Sequence, residues 1–226
     1  MAEHPTERFR SLLAAGPNAF ALDEACLLIA AHARPGLDVE HELSKLDDLA
    51  GEILPPTLDG LRAVLFGPHG FRGNEHQYYD PENSYLDRVL ERRVGIPITL
   101  AVIAIEVGRR AGVPLWGVSM PGHFLCRDKV DPNVFVDPFN GGTLLGVGDC
   151  RRLHHAMSGG APWDDSFLNP ASKLSIVARM LGNLKGVASA REDLGMLRWV
   201  LRLRQCIPGI AEQERPEYER LVARFN

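Results

Sequence analysis

Apolar residues recur at three- and four-residue spacing through residues 6–66, which predicts a layer of helices. In NAFALDEACLLIAAHARPG, residues 18–36, Phe20, Ala21, Cys26, Leu27 and Ile29 to Ala31 fall broadly on one side, and Pro35-Gly36 supplies a stop. LDVEHELSKLDDLAGEIL repeats the spacing with Val39, Leu43, Leu46 and Leu49, and Asp38 is placed to cap its first turn. TLDGLRAVLFG is a further short amphipathic segment. The periodicity then breaks at GPHGFRGNEHQYYDPENS, residues 67–84, a polar loop rich in Gly, Asn and aromatic residues. Loops of that length inside compact domains are commonly functional. Ser84 reads as the N-cap of the next helix, YLDRVLERR, with Asp87 three residues on.

The segment VGIPITLAVIAIEVGRRAGVP, residues 94–114, is apolar on nearly every side. Pro97 suits the first helical position, where its missing N–H costs nothing. Arg109 and Arg110 suit the negative end of the helix dipole, and Gly112 suits a left-handed cap. A helix over 97–111 with no polar face is expected at the centre of the fold. Short β-type runs follow at 115–120, 123–126 and 134–137, with turn residues between the last two. From Leu144 onward the pattern predicts helices, two of them within 171–207 and one more in ERPEYERLVARF. The fold class is α+β: N-terminal helices, a buried central helix against a small antiparallel sheet, and C-terminal helices. Its expected divisions are 1–66, 67–170 and 171–226, packed as one unit.

The chain has 226 residues, 45% hydrophobic and 24% charged, with a formal net charge of −4. That is enough chain for a substantial core. The slightly acidic balance argues against a nucleic-acid binder, which carries a basic face. The pairs Arg92–Arg93, Arg109–Arg110 and Arg151–Arg152 read as exposed helix ends. The four cysteines are far apart with no C-x-x-C pair, so no zinc site is expected. His154 and His155 are adjacent, poorly spaced to share a metal, and read as surface residues. Trp163 and Trp199 read as seam fillers. GPHGFRG lacks the G-K-[ST] of a phosphate loop. No cofactor or metal is expected. MAEHPTERFR carries acids and no apolar stretch, and Ile96 to Glu106 is too short to span a bilayer. The expected location is cytoplasmic, with reduced thiols and no membrane partner.

One constellation carries chemistry. His123 opens one predicted strand and Asp137 closes the next. A hairpin centred on Val130 would set Cys126 opposite Val134 and His123 opposite Asp137. A His beside a carboxylate is the orienting half of a nucleophilic triad. The alternative is a structural His with an Asp that caps the turn before Pro138. Asn74, Tyr78, Tyr79 and Asn83 lie in the long loop, where they line a cleft near His123 or build the turn.

These segments resemble a known family. G-x-P at 95–97, AGVP at 111–114, His123 and V-D-P at 136–138 resemble the transglutaminase-like core, whose architecture is related to papain-type cysteine proteases. GFRGN (70–74), YYDPENSYLDRVLERRVGIPITL (78–100), GVSMPGHFL (117–125), DPFNGG (137–142) and RMLGNLK (179–185) resemble the bacterial SirB-type transglutaminase-like/tetratricopeptide family over roughly residues 18–208. The resemblance implies a nucleophilic Cys in a G-x-C turn at the start of the buried helix, where the helix dipole lowers the thiol pKa. Counting back from Gly112, that position falls on Pro97. His123 and Asp137 match the other two triad positions. Among substitutes, Cys126 alternates to the opposite strand face, Cys26, Cys150 and Cys206 belong to other helices, and Thr99 lies about 200° round the helix from Pro97. Ser84 and Ser119 remain possible nucleophiles.

The expectation is therefore a non-catalytic transglutaminase-like protein acting as a regulatory or protein- or peptide-binding module, its partner and oligomeric state open. Two alternatives stand beside it: a hydrolase or amidase using His123–Asp137 with water or a serine, and a structural protein in which the pair braces a hairpin. The C-terminal helix pair resembles a single tetratricopeptide unit, which cannot bury its own face and should dock on the core.

Overall fold

The computed structural model describes residues 4–224; Phe225, the end of the predicted tail helix, lies outside them. The N-terminal layer comprises α1 (Pro5–Leu13), α2 (Leu22–Ala33), α3 (Val39–Gly51) and α4 (Leu58–Phe66). Asp38 caps α3 by accepting the His41 N–H at 3.1 Å, and Thr57 caps α4 through Gly60 at 3.0 Å.

The long loop is crossed by a two-residue strand, β1 (Arg72–Gly73), which pairs in parallel with β2 (Val94–Gly95). Between them Pro81–Ser84 forms a 3-10 turn and α5 covers Leu86–Arg92. Ser84 is not the N-cap of α5. The Asp80 carboxylate accepts the Glu82 N–H and winds Pro81–Ser84 as a turn of its own, so extended Tyr85 becomes the cap.

Helix α6 (Pro97–Ala111) begins with Pro97 in its first turn and ends at Gly112, whose φ of 80° needs a residue without Cβ strain. Pro97 to Gly108 are all buried, including Thr99 and Glu106. Helices α2, α3, α4 and α5 pack on it, as do β3 (Leu115–Val118) and β4 (Leu125–Asp128). Those strands start a four-stranded antiparallel sheet ordered β3-β4-β5-β6, completed by β5 (Phe135–Asp137) and β6 (Thr143–Leu145).

Three readings of this region need correction. The chain makes β6 before it turns helical at α7 (Val147–Met157), because Gly141 and Gly142, at φ 62° and 71°, reverse it straight after β5. The β4–β5 register sets Cys126 opposite Val136, not Val134. The turn is longer than expected: the Asp128 carboxylate accepts the Val130 and Asp131 N–H groups and Asp131 accepts that of Asn133. The slip is two residues, so each side chain keeps its face. His123 precedes β4 and sits in a turn rather than a strand.

A 3-10 turn (Asp165–Leu168), α8 (Lys173–Ala190), α9 (Leu194–Arg204) and α10 (Ala211–Val222) complete the described chain. One apolar cluster runs from Phe9 and Cys26 through Val102 to Met180, Leu184, Met196 and Leu203. The last helices thus share the core of the first. A second cluster, with Met120, Leu125, Phe135 and Cys150, fills the space between the sheet and α7.

Three surface assignments also change. Arg110 is mostly buried in ion pairs to Asp23, Asp47 and Glu106. Arg151 and Arg152 are exposed but lie inside α7 rather than at its end. His154 is buried against Trp163 and Phe167, and only His155 is exposed. Trp199 stacks on His32 at 5.5 Å.

Candidate functional site

The site is built from two turns. Asp137 closes β5, and its Oδ1 accepts the backbone N–H groups of Phe139 at 3.1 Å and Asn140 at 3.3 Å. These bonds fold DPFN back on itself, a local preference of Asp before a turn. Oδ2 accepts from the Asn140 side-chain amide at 2.7 Å and from His123 Nε2 at 2.9 Å. Burial opposes ionisation of Asp137, but the bond and charge of His123 and the bonds from Asn140 outweigh it and hold the carboxyl below its ordinary range. An ionised carboxylate only accepts, so Nε2 of His123 carries a proton. Nδ1 has no hydrogen-bond partner among the described residues.

The second turn, Met120 to His123, is closed by the His123 N–H to Met120 O bond at 3.1 Å, with Gly122 at φ 76°. Arg179 of α8 pins it. Its guanidinium donates to Ser119 Oγ at 2.6 Å, Met120 O at 3.0 Å and His123 O at 3.0 Å, and lies over the Phe124 ring. Phe139 meets the His123 ring edge-on at 6.0 Å and Tyr78 at 6.1 Å. Gly73 makes room for it: a Cβ there would lie 2.5 Å from the Phe139 ring.

Pro97 and His123 line one cleft of about 490 Å³. Tyr78, Tyr79 and Phe139 form an aromatic wall, Leu153 and Met157 of α7 an apolar one, and Glu75 and Asn140 add polar groups. Of the residues singled out from sequence, Pro97, His123, Tyr78 and Tyr79 thus share a cleft, with Asp137 behind the imidazole.

The others lie elsewhere. Asn74 and Asn83 bond to each other at 3.0 Å, and the Asn83 amide donates to the carbonyls of Gln77 and Tyr78. They build the loop that presents the tyrosines. Ser84 faces a separate groove of about 330 Å³, between the tyrosines and Gly182 and Gly186 of α8. Ser119 is held by Arg179. Neither serine hydroxyl lines the His123 cleft, which corrects their place as candidate nucleophiles.

The thiols are no closer to service. Cys126 is buried with Sγ 3.7 Å from Ala101 O, and Cys26 lies 3.4 Å from Met180 Sδ; burial raises both thiols above their ordinary range. Burial pushes Cys150 up to about 11. Cys206, which follows α9 rather than lying in it, is also raised by burial. Thr99 Oγ1 is buried without a partner and does not line the cleft. Among the described residues no cluster of His, Cys, Asp and Glu could hold a metal, and no helix is long and apolar enough to cross a membrane.

Sequence reasoning missed Phe139, Asn140, Glu75, Leu153, Met157 and Arg179. The Asn140 signal was present in DPFNGG, since an Asp–turn–Asn pattern invites the bonds seen here. Leu153, Met157 and Arg179 carry no local signal, because α7 and α8 reach the site only through tertiary packing.

The sequence model of the transglutaminase-like superfamily matches residues 29–182. A UPF0162 protein of Xylella fastidiosa is 43% identical over 182 residues, covering 74% of this chain and 64% of that protein. A UPF0162 protein of Pseudomonas aeruginosa is 33% identical over 205 residues, covering 86% of this chain and 75% of that protein. F-box only protein 21 of Mus musculus is 32% identical over 163 residues, which is 67% of this chain and 25% of that protein. The chain therefore spans less than two thirds of the Xylella relative and a quarter of the mouse one. No solved structure matches it.

Proposed function

The chain belongs to the transglutaminase-like superfamily, and from that membership we propose that it is a non-catalytic member, a regulatory module that recognises a protein or peptide in the His123 cleft. The observation that carries this reading is the composition of the cleft. Pro97 stands at the start of α6 beside His123, and no thiol or aliphatic hydroxyl lines the same space. Pro97 has neither a side-chain nucleophile nor an N–H. In this reading it occupies the place of the catalytic Cys, and the His–Asp pair remains without a nucleophile to activate. Losing a nucleophile removes several orders of magnitude of rate and leaves binding. The SirB-type assignment, the tetratricopeptide-like character of α8 and α9, the divisions 1–66, 67–170 and 171–226, and a cytoplasmic location belong to the same proposal.

Two experiments test it. The purified protein is incubated with glutamine-donor peptides and an amine, and with peptide substrates; the expected result is no turnover. Turnover that disappears in His123→Ala overturns the reading. The placement of Pro97 is tested separately by Pro97→Cys. If position 97 is the nucleophile's position, the new thiol sits at a helix N-terminus beside an imidazole and alkylates rapidly with iodoacetamide at neutral pH. Asp137→Asn in that background slows it by about tenfold or more. A new thiol that reacts no faster than native Cys206 would show that the position is an ordinary one.

A second reading keeps one point in its favour. An imidazole whose Nε2 is held by Asp137 and whose Nδ1 is unpaired can take a proton from water, as a hydrolase or amidase requires. The same turnover assay decides it.

A further inference from the structure

Resting on the recognition reading above, we infer that the cleft takes a carboxylate borne on an apolar body, seated on His123 Nδ1 at the N-terminal end of α6, where Pro97 lines the cleft. An imidazole beside a helix N-terminus is a setting that stabilises an anion. Here those stabilising groups are present and the protein's own anion is not. Ile96, the N-cap of α6, has no side chain able to bond the first turn, and that turn carries no acidic residue. The Ile98 and Thr99 N–H groups have no acceptor among the described residues, so the positive end of the helix dipole is uncompensated there; both residues are buried and neither lines the cleft. Pro97, between that N-cap and these amides, lines the cleft.

The second and independent observation is His123. It is 4% exposed, lines the same cleft, and leaves Nδ1 unpartnered while Asp137 holds Nε2. A carboxylate on Nδ1 needs Nδ1–H, so binding stabilises the imidazolium, with Asp137 as its permanent counter-charge. Arg179 adds a cation behind the His123 carbonyl. Two acidic groups oppose the ligand's charge: Asp137, which is already committed to His123 and Asn140, and Glu75 at the cleft. The walls of Tyr78, Tyr79, Phe139, Leu153 and Met157 suit an apolar or aromatic group next to the carboxylate.

A carboxylate of this kind comes from a peptide C-terminus or from an acidic side chain, and the test separates them. The 226-residue protein is titrated with N-acetyl-phenylalanine, with its amide, and with N-acetyl-aspartyl-phenylalaninamide, following the amide signals of Ile98 and Thr99 and the ring nitrogens of His123 by NMR. N-acetyl-phenylalanine is expected to move these signals and to bind at least about tenfold more tightly than its amide. Tight binding of the aspartyl probe assigns the side-chain source; its absence assigns the terminal one. Glu75→Gln, at a residue exposed to solvent, is expected to tighten binding, and His123→Gln to weaken it by about tenfold or more. Equal binding of acid and amide, shifts confined to other parts of the protein, or no response to any probe overturns the inference. An unresponsive cleft together with a fast-alkylating Pro97→Cys thiol removes this inference and leaves the non-catalytic reading intact. Turnover of glutamine peptides removes that reading instead.

Discussion

The two ends of α6 handle buried charge in opposite ways. At the C-terminal end, Asp23 and Glu106, both almost fully buried, face Arg110, which donates to Asp23 at 2.6 Å and to Glu106 at 3.2 Å and also reaches Asp47. Arg109 adds a bond to Glu106 at 2.8 Å. Cations at a helix C-terminus also complement the dipole, and Gly112 closes the turn. This end draws its counter-charges from within the protein and is tied to α2 and α3, although burial still leaves Glu106 Oε1 without a partner. At the N-terminal end the amides of Ile98 and Thr99 are unpaired and Nδ1 of His123 is left unspent, with Pro97 and His123 lining an open cleft. Charge that the protein neutralises itself fixes the fold, and polar capacity left over at a cavity is available to a ligand. The motif-bearing end and the purely structural end belong to one helix.

The sharpest way to break this comparison is to remove Arg110. Arg110→Met leaves buried Asp23 and Glu106 with the half-exposed Arg109 as their remaining cation, and breaking a buried ion pair by deleting one partner costs about 3–5 kcal/mol. Urea denaturation should show that loss, and the signals of Ile98, Thr99 and His123 should stay in place. A loss within experimental scatter would mean that the cluster is surface decoration.

The N-terminal counterpart is smaller. His123→Ala removes one buried bond, but Asp137 keeps its donors from Phe139 and Asn140, so the expected loss is about 1–3 kcal/mol in the same experiment. A larger loss than that of Arg110→Met would reverse the comparison and make the His–Asp pair chiefly a brace.

What the sequence disclosed follows the same division. Helix α6 was legible because Pro97, Gly112 and an unbroken apolar surface are local signals. His123 and Asp137 could be joined because a hairpin brings them together, and the two-residue error in register preserved the face on which each side chain lies. β6 was not legible, since three residues, Thr143–Leu145, are too few to show an alternating period. The bridging of Asp23 and Glu106 by Arg110 was hidden by separation: Glu106 interrupts an apolar helix, but Asp23 lies far back in α2. Arg179 was hidden for the same reason, because nothing near it in the chain indicates that its guanidinium closes the His123 turn. Sequence order discloses punctuation and pattern, whereas the far-side partners of a site come only with packing.

The smallest effect, and the one that distinguishes the ends by sign, is the response of stability to acid. Asp137 is held below its ordinary value of 3.8, since the bonds and charge of His123 and Asn140 outweigh burial. Its contribution is fully present above 3.8 and is lost as pH falls through the lower folded value. Glu106 is raised above its ordinary 4.5, first by burial and then by Asp23, against the pull of Arg109 and Arg110. Its folded carboxyl therefore takes up a proton at higher pH than the unfolded one, so acidification through the raised value down to 4.5 relieves a cost. Each group can contribute at most about 1.4 kcal/mol per pH unit. Urea midpoints are measured from about pH 7 to pH 3 for the parent, Glu106→Gln and Asp137→Asn. Glu106→Gln should lose stability more steeply than the parent on acidification above 4.5, because the relief is gone. Asp137→Asn should lose it less steeply below 3.8. Asp87, raised, and Glu214, lowered, act in all three proteins and cancel in the differences. Difference curves of the same sign would mean that both ends of α6 hold the same kind of carboxylate, and the contrast between a self-neutralised end and an open one would fall with them.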